Sequence, residues 1–165
     1  MLISIGDWCQ TAIWIKNIQN HATYPFDWVK TDLLKNIECV KIASQRRLTD
    51  NEVDSWIAHT GFPHDDPATV RTKYIRRFQR LHETMNAMSV HFWCVAHHGN
   101  NKHIPIDVLK DLAISLPNHR FTFALGYDIP SPTPNLRILY DPSIAHPTMT
   151  VEDVYKLGEK FSHRD

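Results

Sequence analysis

Hydrophobic and polar positions along this chain follow two rhythms. Four short apolar runs have the length and the β-branched or aromatic content of buried strands: Leu2-Ile3-Ser4-Ile5, Val90-His91-Phe92-Trp93-Cys94-Val95, Phe121-Thr122-Phe123-Ala124-Leu125 and Leu136-Arg137-Ile138-Leu139-Tyr140. Between them the spacing becomes helical. Thr11 to Gln19 is amphipathic, and Thr31 to Ser44 carries Leu33, Leu34, Ile37 and Val40 near one face. The polar segment Arg46 to Asp66 contains a short helix around Glu52 to Ile57. The clearest period runs from Ala68 to Met85, where Val70, Tyr74, Phe78, Leu81 and Met85 form an apolar stripe. Pro105 to Ser115 reads as a helix with Pro105 at its first turn, and Val151 to Phe161 as a last helix capped by Thr150.

Strands that alternate with helices predict one α/β domain over residues 1–165, its mostly parallel sheet of about four strands flanked by helices in the flavodoxin/Rossmann-like manner. The Pro-rich link between Ile129 and Leu136 has no room for a crossover helix, which predicts an antiparallel last strand. In such sheets ligands bind beyond the carboxyl ends of the strands. Gly6 to Cys9, Ala96 to Asn101 and Gly126 to Pro130 all follow predicted strands, so they line one edge.

The turn after the first strand holds the chemistry. Asp7 can cap the following helix, with Gln10 three residues on completing a capping box. Cys9 then falls in the first turn, where the helix dipole favours a thiolate, making it a candidate nucleophile; the alternative is a small packing residue under the helix. A thiol nucleophile needs a base. His64, His91, His97 and His98 are candidates, and spacing does not choose among them. Lys73, Arg76, Arg77 and Arg80 form a basic stripe beside the apolar one on the 68–85 helix: either a salt-bridged face or a clamp for a phosphate or carboxylate. The segment His21 to Trp28 is too aromatic for a solvated loop, so Phe26 and Trp28 are expected to anchor it in the core.

Composition narrows the classes. Eighteen basic residues balance eighteen acidic ones, so no global field favours nucleic acid or a membrane surface, and nucleic acid is not expected as a partner. No apolar run reaches the roughly 20 residues that span a bilayer. Three widely spaced cysteines, Cys9, Cys39 and Cys94, form no C-x-x-C pair, which suggests free thiols in a reducing compartment. With no signal-peptide pattern at the start, a cytoplasmic location is expected. Eleven histidines are many, yet no H-E-x-x-H or H-x-H pattern occurs and the adjacent His97 and His98 point apart if extended; neither a metal nor a cofactor is expected.

Five blocks in order, Gly6-Asp7-Trp8-Cys9, Tyr24-Pro25-Phe26-Asp27-Trp28, Phe62-x-His64-Asp65, Lys73-Tyr74-x-Arg76-Arg77-x-x-Arg80 and Val90-His91-Phe92, resemble a domain family of bacteria and large DNA viruses catalogued as papain-like cysteine peptidases of unknown function. The resemblance runs from Ile3 to about Phe92. It implies Cys9 as nucleophile, His64 as base and Asp27 or Asp65 as the group that orients it. The strand ahead of the cysteine fits a doubly wound sheet better than a papain-like core. Gly6-Asp7 is also similar to the Gly-Asp-Ser turn of a lipase and esterase group with a flavodoxin-like core, although Trp8 intervenes and the late Asp-x-x-His is absent.

The reading that follows is a cysteine-dependent hydrolase or acyl transferase acting on a small-molecule or peptide substrate. Cys9, His64 and Asp27 are its catalytic residues, with Asp7, Arg76, Arg77 and Arg80 holding an anionic part of the substrate. The alternative is a non-catalytic domain that binds a phosphorylated small molecule, nucleotide or glycan through the Arg-rich helix.

Overall fold

The computed structural model describes residues 1–6, 9–18, 22–62, 64–95, 104–125, 130–131 and 133–140. The elements run β1 (Leu2–Ser4), α1 (Cys9–Ile18), α2 (Leu33–Gln45), α3 (Asp50–Ile57), α4 (Val70–Ala87), β2 (His91–Val95), α5 (Ile106–Ser115), β3 (Arg120–Leu125) and β4 (Leu136–Tyr140). The helix expected over Val151 to Phe161 lies outside the described residues.

Local chemistry sets the helix ends. Asp32 caps α2 by accepting the Leu34 N–H at 2.8 Å. Thr49 and Glu52 form a reciprocal capping box at the start of α3. Glu52 also takes both Arg46 guanidinium nitrogens, at 2.6 and 2.8 Å, and its carboxyl lies at about 2, held down first by Arg46 and then by the Thr49 N–H. Thr49→Ala removes one half of the box, so thermal unfolding should show a loss of about 1 kcal/mol, or a Tm lower by about 2–4 °C. An unchanged Tm would mean that Arg46 and Glu52 hold the helix start alone.

The four strands form one parallel sheet in chain order, β1-β2-β3-β4, with Ile3 beside Phe92, Phe92 beside Phe121, and Phe121 beside Leu136. Chain alternation then puts Ile3, Phe92, Cys94, Phe121, Phe123 and Leu136 on one face. That face carries the main core, built with Leu33, Ile37 and Val40 of α2, Trp56 of α3, the α4 stripe, and Leu109 and Leu112 of α5. α1 packs on β1 and β2, with Ala12 and Ile15 buried outside the main cluster, as are Trp93, Val95, Ala124 and Leu139 of the strands.

The last strand corrects an expectation. β4 runs parallel to β3, not antiparallel. The link spans residues 126–135. Ten extended residues reach up to roughly 33 Å, ample to return along a five- or six-residue strand without a helix. Ser131 Oγ accepts the Ile138 N–H at 2.9 Å, and Thr133 bridges Leu136 in antiparallel fashion, so these two residues of the link lie against β4. The Asn135 amide then anchors the strand start by donating to the carbonyls of Ala113, Leu116 and His119 at 2.9–3.3 Å.

Leu34 departs from the expected α2 face. It is exposed, and the buried positions are Leu33, Asn36, Ile37, Cys39, Val40 and Ala43. No helix among the described residues is long and apolar enough to cross a membrane.

Candidate functional site

The carboxyl edge of the sheet begins where β1 ends. The Ile5 N–H continues the ladder by donating to the Trp93 carbonyl at 2.8 Å, and the Gly6 N–H turns back onto Ser4 Oγ at 3.3 Å. A buried amide takes the two carbonyls that follow. Asn36 Nδ2 donates to the Ile5 oxygen at 3.3 Å and to the Gly6 oxygen at 3.1 Å. Asn36 Oδ1 in turn accepts the Trp56 indole N–H at 3.0 Å and the Thr31 hydroxyl at 3.4 Å. On the other side Thr11 Oγ1 accepts the Val95 N–H at 3.3 Å, so the first turn of α1 adjoins the end of β2. A Cβ on Gly6 would meet Thr11 Oγ1 at 3.0 Å, so a larger residue there requires the Thr11 side chain to give by a few tenths of an ångström.

α1 runs from Cys9 to Ile18, so Cys9 lies in its first turn, as the capping pattern predicts. Asp7, the predicted cap and substrate contact, lies outside the described residues, as does the Cys9 side chain. His97, His98 and His103, which follow β2 in the chain, are outside them too. The other two cysteines are packing residues. Cys94 is fully buried in β2, and burial, reinforced by the Glu38 and Glu52 charges against Lys35, pushes the Cys39 thiol up to about 12.

The other predicted residues gather on α4 and the two loops above it. Asp27 is buried, and its Oδ2 accepts the Tyr24 N–H at 2.7 Å while its own N–H donates to the Tyr24 carbonyl at 3.3 Å. The carboxylate thereby closes the Tyr24-Pro25-Phe26-Asp27 turn, with Pro25 at the position whose φ it presets. Phe26 is fully buried, as expected of an anchor, whereas Trp28 is half-buried. Trp28 has a left-handed backbone, φ 67°. Its ring lies beneath Lys16 Nζ at 5.5 Å and meets the His64 ring edge-on at 6.1 Å. His64 is exposed, and neither Asp27 nor Asp65 bonds to it among the described contacts.

Asp65 is instead the centre of a half-buried network. Lys73 Nζ reaches its Oδ1 at 2.5 Å, the Tyr74 hydroxyl donates to its Oδ2 at 2.8 Å, and Arg77 Nη1 donates to the Tyr74 oxygen at 2.7 Å. Burial by itself would raise the Asp65 carboxyl; the bonds from Lys73 and Tyr74 and the charges of Arg77 and Lys73 overcome it and hold the group below the usual range. Arg80 Nη1 donates to the Thr23 carbonyl at 2.6 Å. The predicted basic stripe therefore divides: Lys73, Arg77 and Arg80 bind the protein itself, and Arg76 is exposed. His91 shares a 2.8 Å hydrogen bond with Thr122 Oγ1 within the sheet.

Asn36 and Trp56 are the residues the sequence pattern did not single out. Their signal was present in α2, where Leu33, Asn36, Ile37 and Val40 fall at i, i+3, i+4 and i+7, a polar amide on the buried face. Among the described residues no group of three or more His, Cys, Asp or Glu side chains converges as a metal site. No protein-family model, curated protein or solved structure matches the chain.

Proposed function

We propose that the protein is a cysteine-dependent hydrolase or acyl transferase with Cys9 as its nucleophile. One observation carries the reading: a parallel strand runs on into Ile5 and Gly6, whose carbonyls Asn36 holds, and the next helix has Cys9 in its first turn and its Thr11 bonded to the end of β2. Parallel α/β sheets place ligands on that edge, and a helix start supplies N–H donors and a positive dipole end for both a thiolate and an oxyanion. In the proposed reaction the Cys9 sulfur attacks the acyl carbon as a histidine takes the thiol proton. The leaving group departs with that proton, and water or an acceptor nucleophile then attacks the thioester, returning the thiol.

His64 serves as the base in this reading, exposed and edge-on to Trp28, whereas His91 is engaged with Thr122 in the sheet. Asp27 and Asp65 support His64 indirectly, by fixing the two loops. The alternative, an anion-binding domain built on the α4 arginines, draws less support because Arg77 and Arg80 spend donors on Tyr74 and Thr23.

Iodoacetamide at pH 6, read by peptide mass mapping, tests the nucleophile. A free thiol near pKa 8.5 is about 0.3% thiolate there, against half for a thiol at about 6, a gain of about 150-fold. Lower intrinsic nucleophilicity removes about 13-fold of that for a Brønsted slope of 0.4–0.5, leaving about tenfold. Cys9 should react about ten times faster than free cysteine, with Cys39 and Cys94 unmodified in the folded protein. A Cys9 rate equal to that of the free thiol would end the proposal.

A further inference from the structure

We infer that the amino edge of the sheet holds a binding site of its own, a cleft across β2, β3 and β4 that takes the phosphate group of a small phosphomonoester. The inference is independent of Cys9, whose helix starts beyond the opposite edge.

Strand register builds the site. His91 and Arg120 are direct partners on β2 and β3, and Thr122 and Arg137 are direct partners on β3 and β4. All four alternate with Phe92, Phe121 and Leu136, so they belong to the face opposite the main core. A strand spacing of about 4.8 Å and a two-residue offset of about 6.6 Å put the Arg120 and Arg137 Cα atoms about 8 Å apart. Two arginine side chains are long enough to meet on one anion across that distance. The hydrogen bond between His91 and Thr122 Oγ1 ties the imidazole across the step from β2 to β3. Ser89 Oγ donates to the Asn118 carbonyl at 2.7 Å and joins the approaches to the same two strands. These six residues line a cleft of about 430 Å³ that has no aspartate or glutamate among its described lining residues.

Charge selects the ligand. Elsewhere the arginines are engaged: Arg46, Arg47, Arg71 and Arg77 have carboxylates beside them, and Arg80 has the Thr23 carbonyl. Arg120 is exposed, and its guanidinium has no partner among the described residues. With Arg137 one row along the sheet, the two cations repel each other until an anion lies between them. A carboxylate has two coplanar oxygens, which one guanidinium fork satisfies. A phosphate monoester presents three terminal oxygens and can use both arginines at once. Strands hold such donors more precisely than loops do. The cleft volume falls within the roughly 300–1,000 Å³ of small-molecule sites, which leaves room for the esterified part of the ligand.

Isothermal titration of the full chain with phenyl phosphate and, separately, with inorganic phosphate tests the site at constant ionic strength. Wild type should saturate at one equivalent of phenyl phosphate and bind it more tightly than inorganic phosphate. Arg120→Gln and Arg137→Gln should each raise the phenyl phosphate Kd about tenfold, the loss expected for one charge-assisted hydrogen bond. Arg120 is exposed, so its replacement leaves folding intact, which circular dichroism checks. Lys110→Gln, which removes an exposed charge from α5, should bind as wild type does. Absence of saturable binding by wild type overturns the site. Wild-type affinity in Arg120→Gln or in folded Arg137→Gln overturns it too, as does an equal loss in Lys110→Gln, which would reduce the effect to net charge. Inorganic phosphate binding as tightly as phenyl phosphate would overturn the assignment of an ester.

Discussion

Asp65→Ala should cost about 3 kcal/mol of folding stability at pH 7. The Asp65 side chain is 7% exposed and faces Lys73, Tyr74 and Arg77, the last with an 11% exposed side chain 4.0 Å away. Removing the carboxylate leaves the Tyr74 hydroxyl without its acceptor and the Arg77 guanidinium without its counter-charge, and an uncompensated buried charge costs far more than the intact pair ever gained. Lys73, 28% exposed, can turn to water, which places the estimate at the lower end of the roughly 3–5 kcal/mol seen for broken buried pairs.

The pH dependence carries a definite sign. The folded carboxyl lies below its ordinary value, so its stabilisation is complete above the unfolded value near 3.9 and is withdrawn as the pH falls through the folded one. Urea unfolding of wild type and variant should therefore show the full gap at pH 7 and a narrower one at about pH 3. Tyr74→Phe removes the link between Asp65 and Arg77 and should cost about 1–2 kcal/mol; combined with Asp65→Ala it should add less than its single value, because the two share one network. A gap below about 1 kcal/mol at pH 7 would return these groups to the status of a solvated charged face. The same measurement bears on function, since an anion clamp would leave the cations unpaired until a ligand arrives.

What the sequence made legible follows from the range of the interactions involved. The α4 stripe is read correctly at every position, Val70, Tyr74, Phe78, Leu81 and Met85 all being buried, because an 18-residue helix repeats its period often enough to be unambiguous. The strands are legible for a related reason: a parallel sheet covered on both sides shows near-continuous apolar runs. Helix starts shift by a residue or two, as at Leu33 and Asp50, because capping groups and not periodicity decide them. The direction of β4 does not follow from the link's lack of room for a helix, because ten residues of chain are long enough to return along a short strand without one. The partners of the α4 cations are legible only where they are close in the chain: Asp65, just ahead of the helix, pairs with Lys73 and Arg77, whereas Thr23 and, for Arg71, Asp50 and Asp54 come from segments that only the folded chain brings near. Asn36 is an intermediate case. Its place on an apolar face was visible, whereas the two carbonyls it holds belong to residues some thirty positions earlier.

Phe78→Ala should be as damaging as Asp65→Ala or more so, costing about 3–5 kcal/mol. Phe78 is 1% exposed and meets Trp56 edge-on at 5.1 Å and Phe26 edge-on at 5.9 Å, while Phe26 and Trp56 meet each other at 6.2 Å. The three rings belong to α4, α3 and the Tyr24–Trp28 turn, so one side chain joins the helical layer to the loop that carries Asp27 and Trp28. Truncation loses the burial of the ring and the edge-to-face contacts, and leaves a cavity that the two rigid aromatic neighbours, Phe26 and Trp56, are poorly able to close. Phe78→Leu keeps much of the volume and should cost less than half as much. Ile114→Ala, at a position 59% exposed, should stay within about 0.5 kcal/mol of wild type. Thermal unfolding separates the three: at about 2–4 °C per kcal/mol for a chain of this size, Phe78→Ala lowers Tm by roughly 6–20 °C. A fall smaller than that of Phe78→Leu would show that the aromatic cluster relaxes around the gap. The turn at Asp27 would then be held by its own Tyr24 hydrogen bonds, independently of the rings beneath it.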